Sequence, residues 1–330
     1  MREPRFWTAD LDPWSRETAP LLRALLTPVA FMYERVTAGR IQRMKPKKLP
    51  AFVICVGNLT AGGVGKSPVV KTLRARIMAD TGRRVASLSR GYGGRLKGPV
   101  KVDVAQHTAL DVGDEPLMLA ASGETWVGRD RAAAGDAMIA DGVEIIIMDD
   151  GHQNPAIAKD FSIIVIDAAT GFGNGYVIPK GPLRERPEQG LARADMIVQM
   201  GEGPLPEAAN SSRLPVSRGH IKPAEDVGEG RYVAFAGIGR PEKFFETLKS
   251  MEVDVADTVP FPDHHVYSED DLAYLRRLAV DYQARLITTQ KDFVRLSVAQ
   301  RTDMCYLPIF VDFDDQRLIE MIISRMQDQS

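Results

Sequence analysis

The chain reads as an α/β protein built on a parallel sheet, and three observations carry that reading. Short apolar runs recur along the sequence with helical patterns between them, the alternation a parallel sheet requires. One run, residues 143–148 (VEIIIM), is apolar almost throughout, the mark of a strand buried on both faces. The first run, 52–56, leads straight into the glycine-rich stretch GNLTAGGVGKS at 57–67. A helical pattern follows it, with Val69, Val70, Leu73 and Ile77 on one face.

In chain order, residues 1–48 form an N-terminal segment. Its longest apolar stretch, 21–33, is broken by Arg23 and Pro28 and is too short to span a bilayer. Leu21, Leu22, Leu25, Leu26, Val29, Phe31 and Met32 precede Arg35, Arg40, Arg43, Lys45, Lys47 and Lys48, with Trp7 and Trp14 upstream. An amphipathic helix of this kind either docks on its own domain or lies in a membrane interface, its cations among anionic headgroups. The basic start, short apolar core and small-residue cleavage site of a signal peptide are not found here.

Residues 49–204 read as a P-loop NTPase-like domain. Strand 52–56, the loop and a helix over 68–79 make a phosphate cradle. Glycines let backbone N–H groups converge on phosphate oxygens, Lys66 adds charge toward the β- and γ-phosphates, and the Ser67 hydroxyl suits Mg2+. The nucleotide-binding residues expected are Thr60, Ala61, Gly62, Gly63, Val64, Gly65, Lys66 and Ser67, in a variant of the common pattern with threonine at its first glycine. Strands follow at 85–89, 143–148, 161–166 and 196–200. Residues 205–230, richer in Pro, Ser, Gly and charge, read as a linker. Residues 231–330 repeat the alternation as a smaller α/β domain, with strands at 232–236, 285–289 and 305–311 and helices at 241–251 and 268–282.

Bulk properties narrow the class. The 330 residues allow one large or two modest domains. A net charge of -2 argues against nucleic acid as the main partner. Residues 1–50 nevertheless carry +5, leaving about -7 for the remainder. Only Cys55 and Cys305 occur, so neither a disulfide framework nor a cysteine metal site is indicated, and the chain reads as reduced and cytoplasmic.

Chemistry gathers where parallel strands end. Asp149 and Asp150 close the apolar run at 148 and suit a hard cation, although paired Asp after a strand also serves as a turn or cap. Asp114 and Glu115 in VGDEP open a helix. They read either as an N-cap or as a general base beside a metal-facing acid. FPDHH at 261–265 holds two of the five histidines, one of which is suited to tune a carboxylate across a cleft. Arg129 and Arg131 in VGRDR, and Arg184 and Arg186 in KGPLRER, are suited to grip anionic substrate or to form surface salt bridges.

Taken in order, GNLTAGGVGKSP, SRGYGG, VGDEP, VGRDR, MDDGHQN, PKGPLRE, FPDHH and TTQKD resemble the tetraacyldisaccharide 4'-kinase family, the lipid A 4'-kinases of Gram-negative bacteria. The resemblance covers nearly the whole chain. It implies ATP- and Mg2+-dependent phosphorylation of the 4'-hydroxyl of a tetraacylated glucosamine disaccharide 1-phosphate, giving lipid IVA. It places that reaction at the cytoplasmic face of the inner membrane and implies an N-terminal helix that dips into the lipid surface.

By position, the resemblance makes Lys66 a phosphate-binding catalytic residue and Ser67, Glu115, Asp149 and Asp150 the metal-facing set. Asp114 resembles the base, and His264, or its neighbour His265, the imidazole that assists it. Arg129, Arg184 and Gln153 resemble substrate-contacting residues. The chain departs from the family at His152, where an apolar residue is common, and at Asn154, where histidine is frequent. Two other readings fit the loop alone: a kinase for a soluble metabolite, and a non-enzymatic nucleotide switch. Ala61 stands where partition-type ATPases have lysine, and an Asn-Lys-x-Asp guanine motif is absent.

Overall fold

Thirteen strands sort into two sheets in the computed structural model, which describes residues 4–8 and 16–329. Trp14 lies outside the described residues. The strands are β1 (Phe52–Gly57), β2 (Val85–Ser89), β3 (Val100–Lys101), β4 (Thr125–Val127), β5 (Ile145–Asp149), β6 (Phe161–Asp167) and β7 (Met196–Met200). They continue with β8 (Val216–Pro223), β9 (Arg231–Ala236), β10 (Asp254–Pro260), β11 (Arg285–Thr289), β12 (Met304–Leu307) and β13 (Ile309–Phe313).

Helices α1 (Pro20–Arg43), α2 (Lys66–Thr81), α3 (Ala109–Val112), α4 (Asp114–Ala120), α5 (Arg131–Ala140) and α6 (Pro187–Leu191) belong to the first part of the chain. Helices α7 (Glu207–Ser211), α8 (Pro241–Ser250), α9 (Glu269–Asp281), α10 (Gln290–Phe293) and α11 (Arg317–Gln327) follow.

The large sheet has the order β13-β8-β7-β6-β1-β5-β2-β4-β3. Its interior pairings are parallel, and only the edge pairs β13–β8 and β3–β4 are antiparallel. Strands β1, β5 and β6 are buried along their whole length, because helices cover both faces. On one face Val69, Val70, Leu73 and Ile77 of α2 pack with Ile319, Ile322 and Met326 of α11. On the other, Ala134 and Met138 of α5 pack with Val53, Ile146 and Met148. The smaller sheet, β10-β9-β11-β12, is wholly parallel.

Two sequence expectations are corrected. Residues 205–230 are not a bare linker. They contain α7 and β8, and β8 pairs with both β7 and β13 inside the large sheet. Its exposed, charged residues made it read as a connection, because a strand next to the sheet edge needs little apolar sequence. The expected strand at 305–311 is two strands separated by Pro308, one in each sheet. Proline cannot donate to a ladder, and the chain changes sheets there. Its carbonyl accepts the Ala224 N–H at 2.8 Å, so the outgoing and returning connections between the two units lie side by side. The smaller unit is therefore inserted into the larger, and β13 and α11 complete the large sheet.

Helix α1, about 36 Å long at 1.5 Å per residue, inverts the usual arrangement of a docked amphipathic helix. Its inward stripe is small or polar: Ala30 and Thr37 are buried, Glu34 pairs with Arg186 at 2.6 Å, and Arg40 reaches the Gln153 carbonyl at 3.4 Å. Leu21, Leu25, Phe31, Met32 and Val36 remain exposed, Leu21 at 87%. Among the described residues no helix is long and apolar enough to cross a membrane.

Candidate active site

The groups of interest gather where β1 and β5 of the large sheet end and where the smaller unit meets α4. The loop after β1 is pinned at its start. Asn58 donates to the Thr60 carbonyl at 2.8 Å, and the Ala61 N–H donates to Pro182 at 2.7 Å. Thr60 also bridges Leu183, so the threonine that replaces the first glycine is held as extended chain, a role that needs no glycine. Gly65 takes φ 89° immediately before α2 begins at Lys66, a left-handed turn for which glycine is suited. The loop then enters the positive end of a sixteen-residue helix, a ready anion site.

Strand β5 runs beside β1, with Asp149 opposite Val56. The Asp149 side chain is 1% exposed, and neither of its oxygens has a hydrogen-bond partner. Burial, followed by the charge of Glu115, pushes its pKa up to about 7 against the pull of Lys66 and Arg131. A buried, unpartnered carboxylate that feels the charges of Glu115 and Asp150 fits a hard cation with oxygen ligands. No three His, Cys, Asp or Glu side chains converge on a metal position among the described residues. Asp150 adopts φ 53° and accepts from Arg184 at 2.8 and 2.9 Å, with Lys66 Nζ at 3.6 Å. Burial alone would raise it, but Lys66 and Arg184 hold it below the usual carboxylate range.

The raised pKa of Asp149 has a measurable consequence. The folded chain holds this proton more tightly than the unfolded chain, so stability is lost as pH rises from about 4 to about 7. Asp149→Asn should flatten that slope and raise the melting temperature of the nucleotide-free protein at pH 8. Calorimetry across this range checks it; identical slopes for the two proteins would contradict an unpaired buried carboxylate.

Asp114 opens α4 after Gly113, whose φ is 92° and where a Cβ would run into the Tyr92 carbonyl oxygen. The SRGYGG turn thus packs directly behind VGDEP. Asp114 Oδ1 accepts the Glu115 N–H at 3.0 Å. Its Oδ2 accepts from Arg295 Nη2 at 2.6 Å and Nε at 3.0 Å, and lies 3.1 Å from His264 Nδ1. Burial would raise this carboxyl, yet the His264 hydrogen bond and the Lys291 and Arg295 charges hold it well below the carboxylate range. The adjacent His265 faces elsewhere, with Nε2 3.0 Å from Asp271 and its ring stacked on Phe261. Of the two histidines, His264 is the one beside Asp114.

The remaining expected residues divide. Gln153 spends its amide on the Asn58 carbonyl at 2.8 Å and Glu185 at 3.0 Å, bracing the loop. Arg129 is exposed and touches the Gly94 carbonyl at 3.3 Å, whereas its neighbour Arg131 is buried and its charge acts on Asp149. His152 is buried with Nε2 2.9 Å from the Gly190 carbonyl, and burial pushes its pKa down to about 3, so it is a neutral packing residue. Sequence reading missed Lys291 and Arg295 as site residues. The signal was available in TTQKDFVR, where a four-residue spacing puts the two cations on one side of a helical turn.

A glycine loop ending in Lys-Ser, a buried acidic strand end beside it, and an Asp–His pair closing over the same edge define a P-loop-type phosphotransferase. The particular family follows from comparison with known proteins. The chain belongs to the family described as LpxK, tetraacyldisaccharide-1-P 4'-kinase, whose profile matches residues 22–327.

Relatives named tetraacyldisaccharide 4'-kinase include one from Hyphomonas neptunium, 52% identical over 98% of this chain and 97% of its own. Another, from Parvibaculum lavamentivorans, is 48% identical over 91% of this chain and 88% of its own. The crystal structure of LpxK from Aquifex aeolicus in complex with ATP superposes with a TM-score of 0.73. It shares 26% identity and covers 92% of this chain and 99% of its own. The chain is accordingly an enzyme, a kinase of this family, and the non-enzymatic switch reading falls away.

Proposed function

We propose that this kinase transfers the γ-phosphate of ATP to the 4'-hydroxyl of a tetraacyldisaccharide 1-phosphate, giving lipid IVA, at the cytoplasmic face of the inner membrane. The observation that carries the reading is the Asp114–His264 pair at 3.1 Å. It adjoins Glu115, whose charge reaches the same buried Asp149 that Lys66 acts on. Acceptor chemistry and phosphate-binding groups therefore belong to one electrostatic constellation.

In this mechanism the 4'-oxygen forms a bond to the γ-phosphorus as the bond to the β,γ-bridging oxygen breaks, and ADP leaves. The hydroxyl proton passes to Asp114, whose Oδ1 retains lone-pair capacity beyond the Glu115 N–H. In a loose phosphoryl-transfer transition state the attacking oxygen loses its proton late, so a weakly basic carboxylate serves chiefly by orienting the hydroxyl. Loop amides 60–65 and Lys66 hold the phosphates. Mg2+, when bound with the nucleotide, neutralises phosphate charge; Ser67, Glu115, Asp149 and Asp150 are the residues that would hold it. Arg184, already on Asp150, and the exposed Arg129 are the cations this reading assigns to substrate phosphate. The exposed Leu21, Leu25, Phe31 and Met32 of α1, with Arg35 stacked over Phe31 at 4.9 Å, suit contact with a lipid surface.

Incubating the purified chain with γ-labelled ATP and the acylated disaccharide 1-phosphate in mixed micelles should yield a bisphosphorylated lipid. Leu25→Glu with Phe31→Glu should raise the KM for the lipid and reduce vesicle sedimentation. Label released only as inorganic phosphate, or transferred only to soluble acceptors, would overturn the assignment.

A further inference from the structure

The imidazole of His264 has a charged neighbour on each nitrogen, and their chemistry fixes where its proton sits. Lys291 Nζ lies 3.3 Å from Nε2. An ammonium group has three donors and no acceptor, so Nε2 must present its lone pair to it. The ring proton is then on Nδ1, which donates to Asp114 Oδ2 at 3.1 Å.

Arg295 agrees with this assignment. Its Nη2 is 3.2 Å from Nδ1, but two donors cannot bond each other, and both instead converge on Asp114 Oδ2. Among the described residues, Asp263 is the one other charged group against the ring. Its Oδ2 is 3.8 Å from Nε2, too far to draw a proton there, and its Oδ1 is 3.7 Å from Lys291 Nζ, where it steadies the ammonium group. Arg295 is anchored in turn by Asp292, which also accepts the Gly237 N–H. His264 itself stands at φ 59°, a left-handed turn that aims the ring out of its own unit.

We propose that Lys291 is a positioning residue for phosphoryl transfer: by donating to Nε2 it locks His264 in the Nδ1–H tautomer that holds the Asp114 carboxylate. This rests on the reading of Asp114 as the group that meets the acceptor hydroxyl. Lys291 acts only through the imidazole. Without it Nε2 is open to a proton, and in the Nε2–H form the lone pair on Nδ1 would turn from the carboxylate to the Arg295 Nη2 donor 3.2 Å away.

Long-range 1H–15N spectra of the full-length protein, labelled at histidine, read the tautomer directly, and His264→Gln assigns its signals among the five histidines. The wild type should show the Nδ1–H pattern. Lys291→Met, which keeps the side-chain length, should shift His264 toward Nε2–H. It should also lower kcat by about tenfold to a hundredfold, the range seen when the partner orienting a functional imidazole is lost. KM for both substrates should stay unchanged, and Lys291→Arg should restore both the tautomer and kcat.

A wild-type Nε2–H pattern, an unchanged tautomer in Lys291→Met, or a change in KM alone would overturn the proposal. Asp114→Asn separates the two layers. If that variant keeps full turnover, the base assignment falls, while the spectra of the Lys291 variants still judge the tautomer lock.

Discussion

Asp114→Asn should lower phosphoryl transfer by about 10²–10⁴-fold, the usual worth of a positioned acid–base group, with ATP affinity nearly intact. The substitution keeps the shape that Gly113 and the SRGYGG turn pack around, but removes the charge on which His264 and Arg295 converge. Arg295 then loses its ion-pair partner at Oδ2 but keeps Asp292 and the Gly237 carbonyl, so the smaller unit should remain folded. Single-turnover kinetics with a parallel nucleotide titration separate the steps. Unaffected turnover would remove Asp114 from the chemistry.

Lys66→Met should also be severe, and differently so. Removing one preorganised cation from the developing charge typically reduces the rate by about 10²–10³-fold. Because Lys66 would touch the same phosphates before and during transfer, nucleotide affinity should fall too. Asp150 keeps Arg184 at 2.8 Å, so the strand end need not rearrange and the melting temperature should change little. A variant with normal nucleotide affinity and a lowered kcat would mean that Lys66 engages only in the transition state.

The groups legible in the sequence were those tied to a local pattern. Lys66, Ser67, Asp149 and Asp150 follow from a strand, a loop and a helix, because a parallel sheet brings its strand ends to one edge whatever the connections between them. Asp114 was legible only as an alternative, since an acidic residue opening a helix serves equally well as a cap, and family resemblance was needed to favour the base. The spacing in TTQKDFVR put Arg295 and Lys291 on one side of a turn, but what that side faces became visible only once the smaller unit was seen to lean on α4. Their partners lie 181 and 27 residues away, and no local rule links such positions. The same limit hid β8 and the break at Pro308. A short, polar strand near a sheet edge looks like a connection, and a run of apolar residues says nothing about which of two sheets each half joins.

The placement of β13 and α11 bears on how the molecule is made. The phosphate loop precedes nearly every strand of the large sheet in the chain, but the helix that carries Lys66 rests against Ile319, Ile322 and Met326 of α11, which follows the inserted unit. The inserted unit, bounded by the adjoining Ala224 and Pro308, has its own parallel sheet and can close before that. The two sides of the site therefore differ in chain order: the cations beside Asp114, Lys291 and Arg295, precede α11, the helix that buttresses the one carrying Lys66.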